Sequence, residues 1–110
     1  MKKPQLITLK LAFLDGGNKD RFIGSLREQA GDCAWAVVDL GGLDFIDSSG
    51  MGALIALARD LEERGGELVL ASPSPTVKAA FELVYLKLKI RIFDDVEAAS
   101  KAIGEARGEE

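Results

Sequence analysis

Four stretches patterned like strands alternate with four that carry a helical period, and this alternation constrains the fold more than any other feature of the chain. Residues 5–14 (QLITLKLAFL) alternate apolar and polar side chains and then run apolar, which predicts a strand ending at the turn Asp15-Gly16-Gly17-Asn18. Phe22, Ile23, Leu26 and Ala30 then fall on one helical face, with Gly31 placed to end that helix. Ala34 to Leu40 is short, apolar and valine-rich, a buried strand closed by Gly41-Gly42. From Ser49 to Arg64 the residues Met51, Leu54, Ile55, Ala58 and Leu61 keep helical spacing until Gly65-Gly66.

Glu67 to Ala71 is the third predicted strand, and it leads into Ser72-Pro73-Ser74-Pro75. There Ser74 suits a helix N-cap and Pro75 the first helical position, whose amide needs no partner. Val77, Phe81 and Val84 mark the inward face of that helix. Lys89 to Phe93 reads as a last short strand. Asp94 with Glu97 three residues on resembles a capping box, opening a final helix with Val96, Ala99 and Ile103 inward.

Parallel strands need crossover connections, so the alternation predicts an α/β fold: a single-layer, mixed but largely parallel four-stranded sheet with about four helices. At 110 residues the chain forms one domain, residues 1–110, with its core over about 6–103. In such a sheet the strand-to-helix loops open at the carboxyl edge. Asp15, the segment Gly41 to Ser49, and Ser72 to Pro75 therefore gather at one end of the molecule.

Composition removes many functions. The chain has no histidine and one cysteine, which excludes a Ser-His-Asp triad, a Cys-His dyad, histidine-dependent metal sites and a cysteine-rich zinc cluster. No metal or cofactor is expected. A net charge of −4, with 14 basic residues scattered among 18 acidic ones, argues against nucleic acid as a partner. No apolar run is long enough for a membrane span or a signal-peptide core, and a lone thiol, Cys33, forms no intrachain disulfide. The cytoplasm is the expected compartment. Cys33 has no basic neighbour to lower its pKa and reads as unreactive, while Trp35 and Phe81 read as packing residues.

The segment Gly41 to Gly52 (GGLDFIDSSGMG) sets two hydroxyls and a carboxylate at the start of the longest helix. Ser48 is the natural N-cap, and Gly50 and Gly52 leave the first turn free of bulky side chains. Two glycines in one helical turn cost roughly 1 kcal/mol each relative to alanine, so close approach by a backbone or a phosphate is called for. Capping and packing alone account for the serine and the aspartates without any function.

The runs Val37-Val38-Asp39-Leu40 and Leu43-Asp44-Phe45-Ile46-Asp47-Ser48-Ser49-Gly50-Met51-Gly52 resemble the signature of STAS domains, the bacterial anti-sigma factor antagonists. Ser74-Pro75-Thr76-Val77-Lys78-Ala79-Ala80-Phe81 and Leu14-Asp15 resemble two further blocks of that family, and the likeness covers roughly residues 6–103. The resemblance implies a non-enzymatic binding switch. Ser48 matches the phosphoacceptor of a partner anti-sigma factor that is itself a serine kinase. The unphosphorylated form holds that partner and the phosphorylated form releases it. By the same likeness Asp15, Asp44, Asp47, Ser49, Gly50, Met51, Gly52 and Ser74 form the partner-binding set.

Two departures stand out. Only fourteen residues precede Asp15, so the family's first hairpin strand is expected to be missing, and residues 5–14 are expected at a sheet edge blunted by Lys2, Lys3, Pro4 and Lys10. A weak homodimer through that edge is the alternative. Tyr85 stands where the family has a glycine in a turn. Two other functions stay open: a scaffold subunit of a stressosome or lipid-transport ABC complex without regulated phosphorylation, and a serine hydrolase. The hydrolase lacks a base for Ser48, since no Ser-x-x-Lys follows.

Overall fold

The structure is a computed structural model that describes residues 4–108. Its elements run β1 (Gln5–Thr8), β2 (Phe13–Leu14), α1 (Lys19–Ala30), β3 (Trp35–Asp39), β4 (Phe45–Ile46), α2 (Ser48–Glu63), β5 (Glu67–Ala71), α3 (Pro75–Leu83), a 3₁₀ turn (Leu86–Leu88), β6 (Ile92–Phe93) and α4 (Val96–Ala106). Four strands form one parallel sheet in the order β1-β3-β5-β6. The α/β architecture and four helices read from the alternation are thus present, with every pairing in that sheet parallel.

Strand register sorts the core into two layers. Ile7, Val38 and Leu70 lie in register across three strands and face α1, α2 and α3, whose Leu26, Leu54, Leu57, Val77 and Phe81 complete the main cluster. Alternate residues point the other way. Val37, Val69 and Ala71 meet Ala99 and Ile103 of α4, with Trp35, Phe93 and Val96 at the margin. Trp35 and Phe81 are therefore packing residues. Cys33 is buried, and its Sγ donates to the Trp35 carbonyl at 3.2 Å.

Several boundaries differ from the sequence reading. Residues 5–14 are two strands rather than one: β1 joins the main sheet, whereas β2 leaves it to pair with β4 in a separate two-stranded ribbon. The reason is the apolar run at its end. Leu14 is fully buried against Gly50 at the start of α2, and it pairs with Ile46 rather than with β3. The last strand spans only Ile92–Phe93, because Leu86 and Ile90 are drawn into the core by the 3₁₀ turn, whose Leu86 carbonyl accepts from both Lys89 and Ile90. Asp95, one residue beyond the expected Asp94, caps α4 by accepting from the Ala98 amide at 2.7 Å. Val84 lies past the end of α3 and is exposed.

Other local readings hold. Gly31 ends α1 at φ +55°, and Ser74 caps α3 with Pro75 at its first position. β1 is an edge strand. The Leu9 amide donates to the Asp39 carbonyl at 3.0 Å, so by alternation Leu6 and Thr8 turn their amides and carbonyls outward. Lys10 is exposed there, while Lys2 and Lys3 lie outside the described residues. At the opposite edge Arg91 binds Glu67 through two nitrogens at 2.6 and 2.7 Å, which ties the approach to β6 onto β5 and raises the Arg91 pKa above its ordinary value. Among the described residues no helix is long and apolar enough to cross a membrane.

Candidate functional site

The parallel sheet and the β2-β4 ribbon run to the same end of the molecule, so the loops after β2 and β4 converge. The Asp47 amide donates to the Leu14 carbonyl at 3.2 Å, and the Asp44 and Phe45 amides share the Ala12 carbonyl at 2.7 and 3.1 Å. These bonds hold the entry to α2 against the end of β2. Gly50 completes the fit: a Cβ there would lie 2.6 Å from the Leu14 carbonyl oxygen, too close for any side chain. The first of the two expected close approaches is therefore a backbone, and it explains Gly50.

Asp47, not Ser48, is the N-cap of α2. Its backbone is extended and its Oδ1 accepts from the Gly50 amide at 2.9 Å, so Ser48 becomes the first helical residue. Both are capping types, but the buried Ile46 and the Leu14 bond fix the backbone one residue earlier than sequence spacing indicates. The consequence is chemical. Ser48 is exposed and its hydroxyl makes no hydrogen bond among the described residues, so an unengaged hydroxyl stands at the positive end of a sixteen-residue helix.

The neighbouring loop is locked by its own polar groups. Asp15 Oδ1 accepts from the Gly17 and Asn18 amides at 2.8 and 3.2 Å, Asn18 Oδ1 accepts from the Asp15 amide at 2.9 Å, and Asn18 Nδ2 donates to the Phe13 carbonyl at 2.8 Å. Asp15 thus acts through loop geometry. That loop reaches α2, since a Cβ on Gly16 would lie 3.5 Å from Ser49 Oγ. Ser49 also lines an open groove of about 520 Å³ between α1 and α2, with Lys19, Gly24 and Gly52 among its walls. Gly52 is exposed with open space where a Cβ would be.

The nine residues singled out from sequence are therefore not equivalent. Ser48, Ser49, Asp44 and Gly52 give surface at one end, and Asp15 and Asp47 shape it. Gly50 and Met51 are buried and offer no surface to a partner; they hold the helix start in place. Ser74 spends its hydroxyl on the Val77 amide at 3.2 Å, as the cap of a different helix. Asn18 and Lys19 were missed. The spacing Asp15-x-x-Asn18 at a turn was a signal for the first, whereas Lys19 becomes part of the groove only through the packing of α1 on α2.

Loops thus present a patch of hydroxyls and carboxylates at one end of a parallel α/β sheet. Residues 9–99 match the STAS domain family, and the chain belongs to it. It is 43% identical over 44 residues to the anti-sigma F factor antagonist of Lysinibacillus sphaericus, a match covering 40% of this chain and 38% of that protein. It is 36% identical over 66 residues, 60% of this chain and 57% of the other, to BtrV of Bordetella bronchiseptica, by its name a candidate anti-sigma factor antagonist. These matches span less than two thirds of either relative's length. Among solved structures, the anti-sigma factor antagonist SpoIIAA in its unphosphorylated form is 26% identical with a TM-score of 0.71, covering 98% of this chain and 91% of that one. The chain is an anti-sigma factor antagonist-like STAS domain.

Proposed function

We propose that the chain is a phosphorylation-controlled protein-binding switch whose phosphoacceptor is Ser48. The observation that carries this reading is the division of labour at the start of α2. Asp47 caps the helix, which leaves the exposed Ser48 hydroxyl free for chemistry. The naming of one relative by its unphosphorylated form supports it. The partner is an anti-sigma factor with serine kinase activity. In that step the Ser48 Oγ attacks the γ-phosphorus of ATP held by the partner, the bond to ADP breaks, and the hydroxyl proton passes to a base that the kinase supplies.

The phosphoryl group would bring about −1.5 to −2 charge beside Asp47 and Asp44. The helix N-terminus favours that charge by roughly 0.3 to 1 kcal/mol, and the two carboxylates oppose it by a similar amount. The fold stays as it is. Release comes from repulsive charge and bulk where the partner docks, which costs an interface several kcal/mol. Phosphopeptide mapping of the protein from its own cells should place phosphate on Ser48, and titration against the anti-sigma factor of the same genome should show that Ser48→Ala binds like wild type. Phosphate elsewhere only, or Ser48→Asp binding every partner as tightly as wild type, refutes the switch; the second result leaves the scaffold function in its place.

A further inference from the structure

At the far end of α3 from its cap, Leu83, Val84, Tyr85 and Leu88 are 81%, 52%, 65% and 77% exposed. Four large apolar side chains exposed within six positions form the densest such run among the described residues, where Leu6, Phe13 and Phe45 are the other exposed large hydrophobics. Beside them lies a hollow of about 410 Å³ floored by Phe81 and Ile92 and walled by Tyr85, Glu82 and Lys87. Tyr85 holds a left-handed backbone at φ +53°, a conformation that favours glycine. A bulky aromatic is thus kept, exposed, where the backbone would prefer no side chain at all.

We infer that this surface joins two copies of the chain in a weak two-fold dimer. The charges around the hollow are self-complementary: Glu82, Lys87 and Lys89 are exposed and make no ion pair among the described residues. A two-fold axis brings the same patch of each copy together, so Glu82 of one copy can face Lys87 or Lys89 of the other. The four exposed side chains sum to roughly 500 Å² per copy, or about 1,000 Å² for a pair, the lower end of what a specific interface needs. Interfaces of that size are those of weak, transient associations, and the range to be tested brackets a dissociation constant on the order of 10 to 100 μM. An anionic lipid surface fits less well, because Glu82 and a net charge of −4 oppose it.

The patch lies at the amino edge of the sheet, since α3 starts at the carboxyl edge and runs away from it. Such a dimer leaves both Ser48 loops free, and it forms whether or not Ser48 is a phosphoacceptor.

Sedimentation velocity of the full chain over a concentration range bracketing that constant should show the average mass rising toward twice the monomer. Leu83→Glu and Leu88→Glu, at exposed positions, should keep the wild-type fold and weaken association at least tenfold. Tyr85→Gly should weaken it at least fivefold while raising the melting temperature. Glu82→Lys should weaken association, and adding Lys87→Glu should restore it. The control Leu6→Glu, on the edge strand β1, should change nothing. A chain that stays monomeric throughout, association unaffected by Leu88→Glu, association abolished by Leu6→Glu, or a monomer that binds anionic vesicles through Leu88 would each overturn the inference.

Discussion

Alanine at position 50 and alanine at position 52 are the same chemical change two residues apart in one helix, and the structure assigns them opposite signs. In a helix interior the exchange of glycine for alanine is worth roughly 1 kcal/mol in favour of alanine. At Gly52 nothing lies within 4 Å of the added methyl, so that gain should be kept. At Gly50 the methyl would sit 2.6 Å from the Leu14 carbonyl oxygen and 2.9 Å from Ile46 Cγ1. Neither neighbour has room to yield. Leu14 is fully buried, its carbonyl already accepts from the Asp47 amide, and β2 is paired with β4. Overpacking of this kind costs about 1 to 3 kcal/mol, and separating β2 from α2 adds the loss of a hydrogen bond worth about 1 kcal/mol. After the helix gain, Gly50→Ala should be destabilised by about 1 to 3 kcal/mol, a fall of roughly 5 to 15 °C in melting temperature for a domain of this size. Gly52→Ala should rise by a few degrees. Thermal unfolding followed by circular dichroism at one protein concentration reads both. A Gly50→Ala variant melting at or above wild type would refute the close approach as the reason for this glycine.

Asp47→Ala should lose about 1 kcal/mol of stability as a cap, while Ser48→Ala, whose hydroxyl bonds nothing described, should melt within a degree or so of wild type; equal losses from the two would return the cap to Ser48. Ser48→Asp should weaken binding of the anti-sigma factor at least tenfold in a calorimetric titration with its melting temperature little changed, and a much lower melting temperature would mean that charge acts by unravelling the helix start. Gly52→Ala, despite its gain in stability, should weaken the same binding if the groove between α1 and α2 is part of the docking surface, and unchanged affinity would place the partner elsewhere. Arg91→Met should cost no more than about 1 kcal/mol, and the loss should shrink in high salt, because its pair with Glu67 is partly exposed; chemical denaturation at two ionic strengths checks it.

Legibility in the sequence followed how locally each feature is determined. Gly31, Ser74 with Pro75, and the period of Met51, Leu54, Ile55, Ala58 and Leu61 are set by their own neighbours, and the helices they imply are all present. The start of α2 was ambiguous because Asp47 and Ser48 are both good caps; what decides between them is the Leu14 carbonyl, thirty-odd residues away. For the same reason the departure of β2 from the sheet could not be read from QLITLKLAFL, since its partner Phe45–Ile46 is too short to announce itself. Tyr85 is the instructive exception. The family likeness places a glycine turn there, and the backbone keeps the left-handed turn even with a tyrosine in it. The groove beside Ser49 needed two helices to be packed before any of its residues could be named together.

The strand order β1-β3-β5-β6 bears on how the chain comes off the ribosome. Each strand of that sheet joins the outer edge of what is already paired, so none has to open a finished ladder to insert itself. Helices α1, α2 and α3 cover one face as they are made, but among the described residues the other face has only α4, which follows them in sequence. Until residues 96–106 emerge, Val37, Val69 and Ala71 have nothing over them. A nascent chain is therefore most adhesive just before α4 emerges, when transiently bare apolar surface invites aggregation. A version ending at Asp95 should bind a hydrophobic dye and sediment with insoluble material, and a soluble, dye-silent product of that length would show that α4 is dispensable to the far face of the sheet.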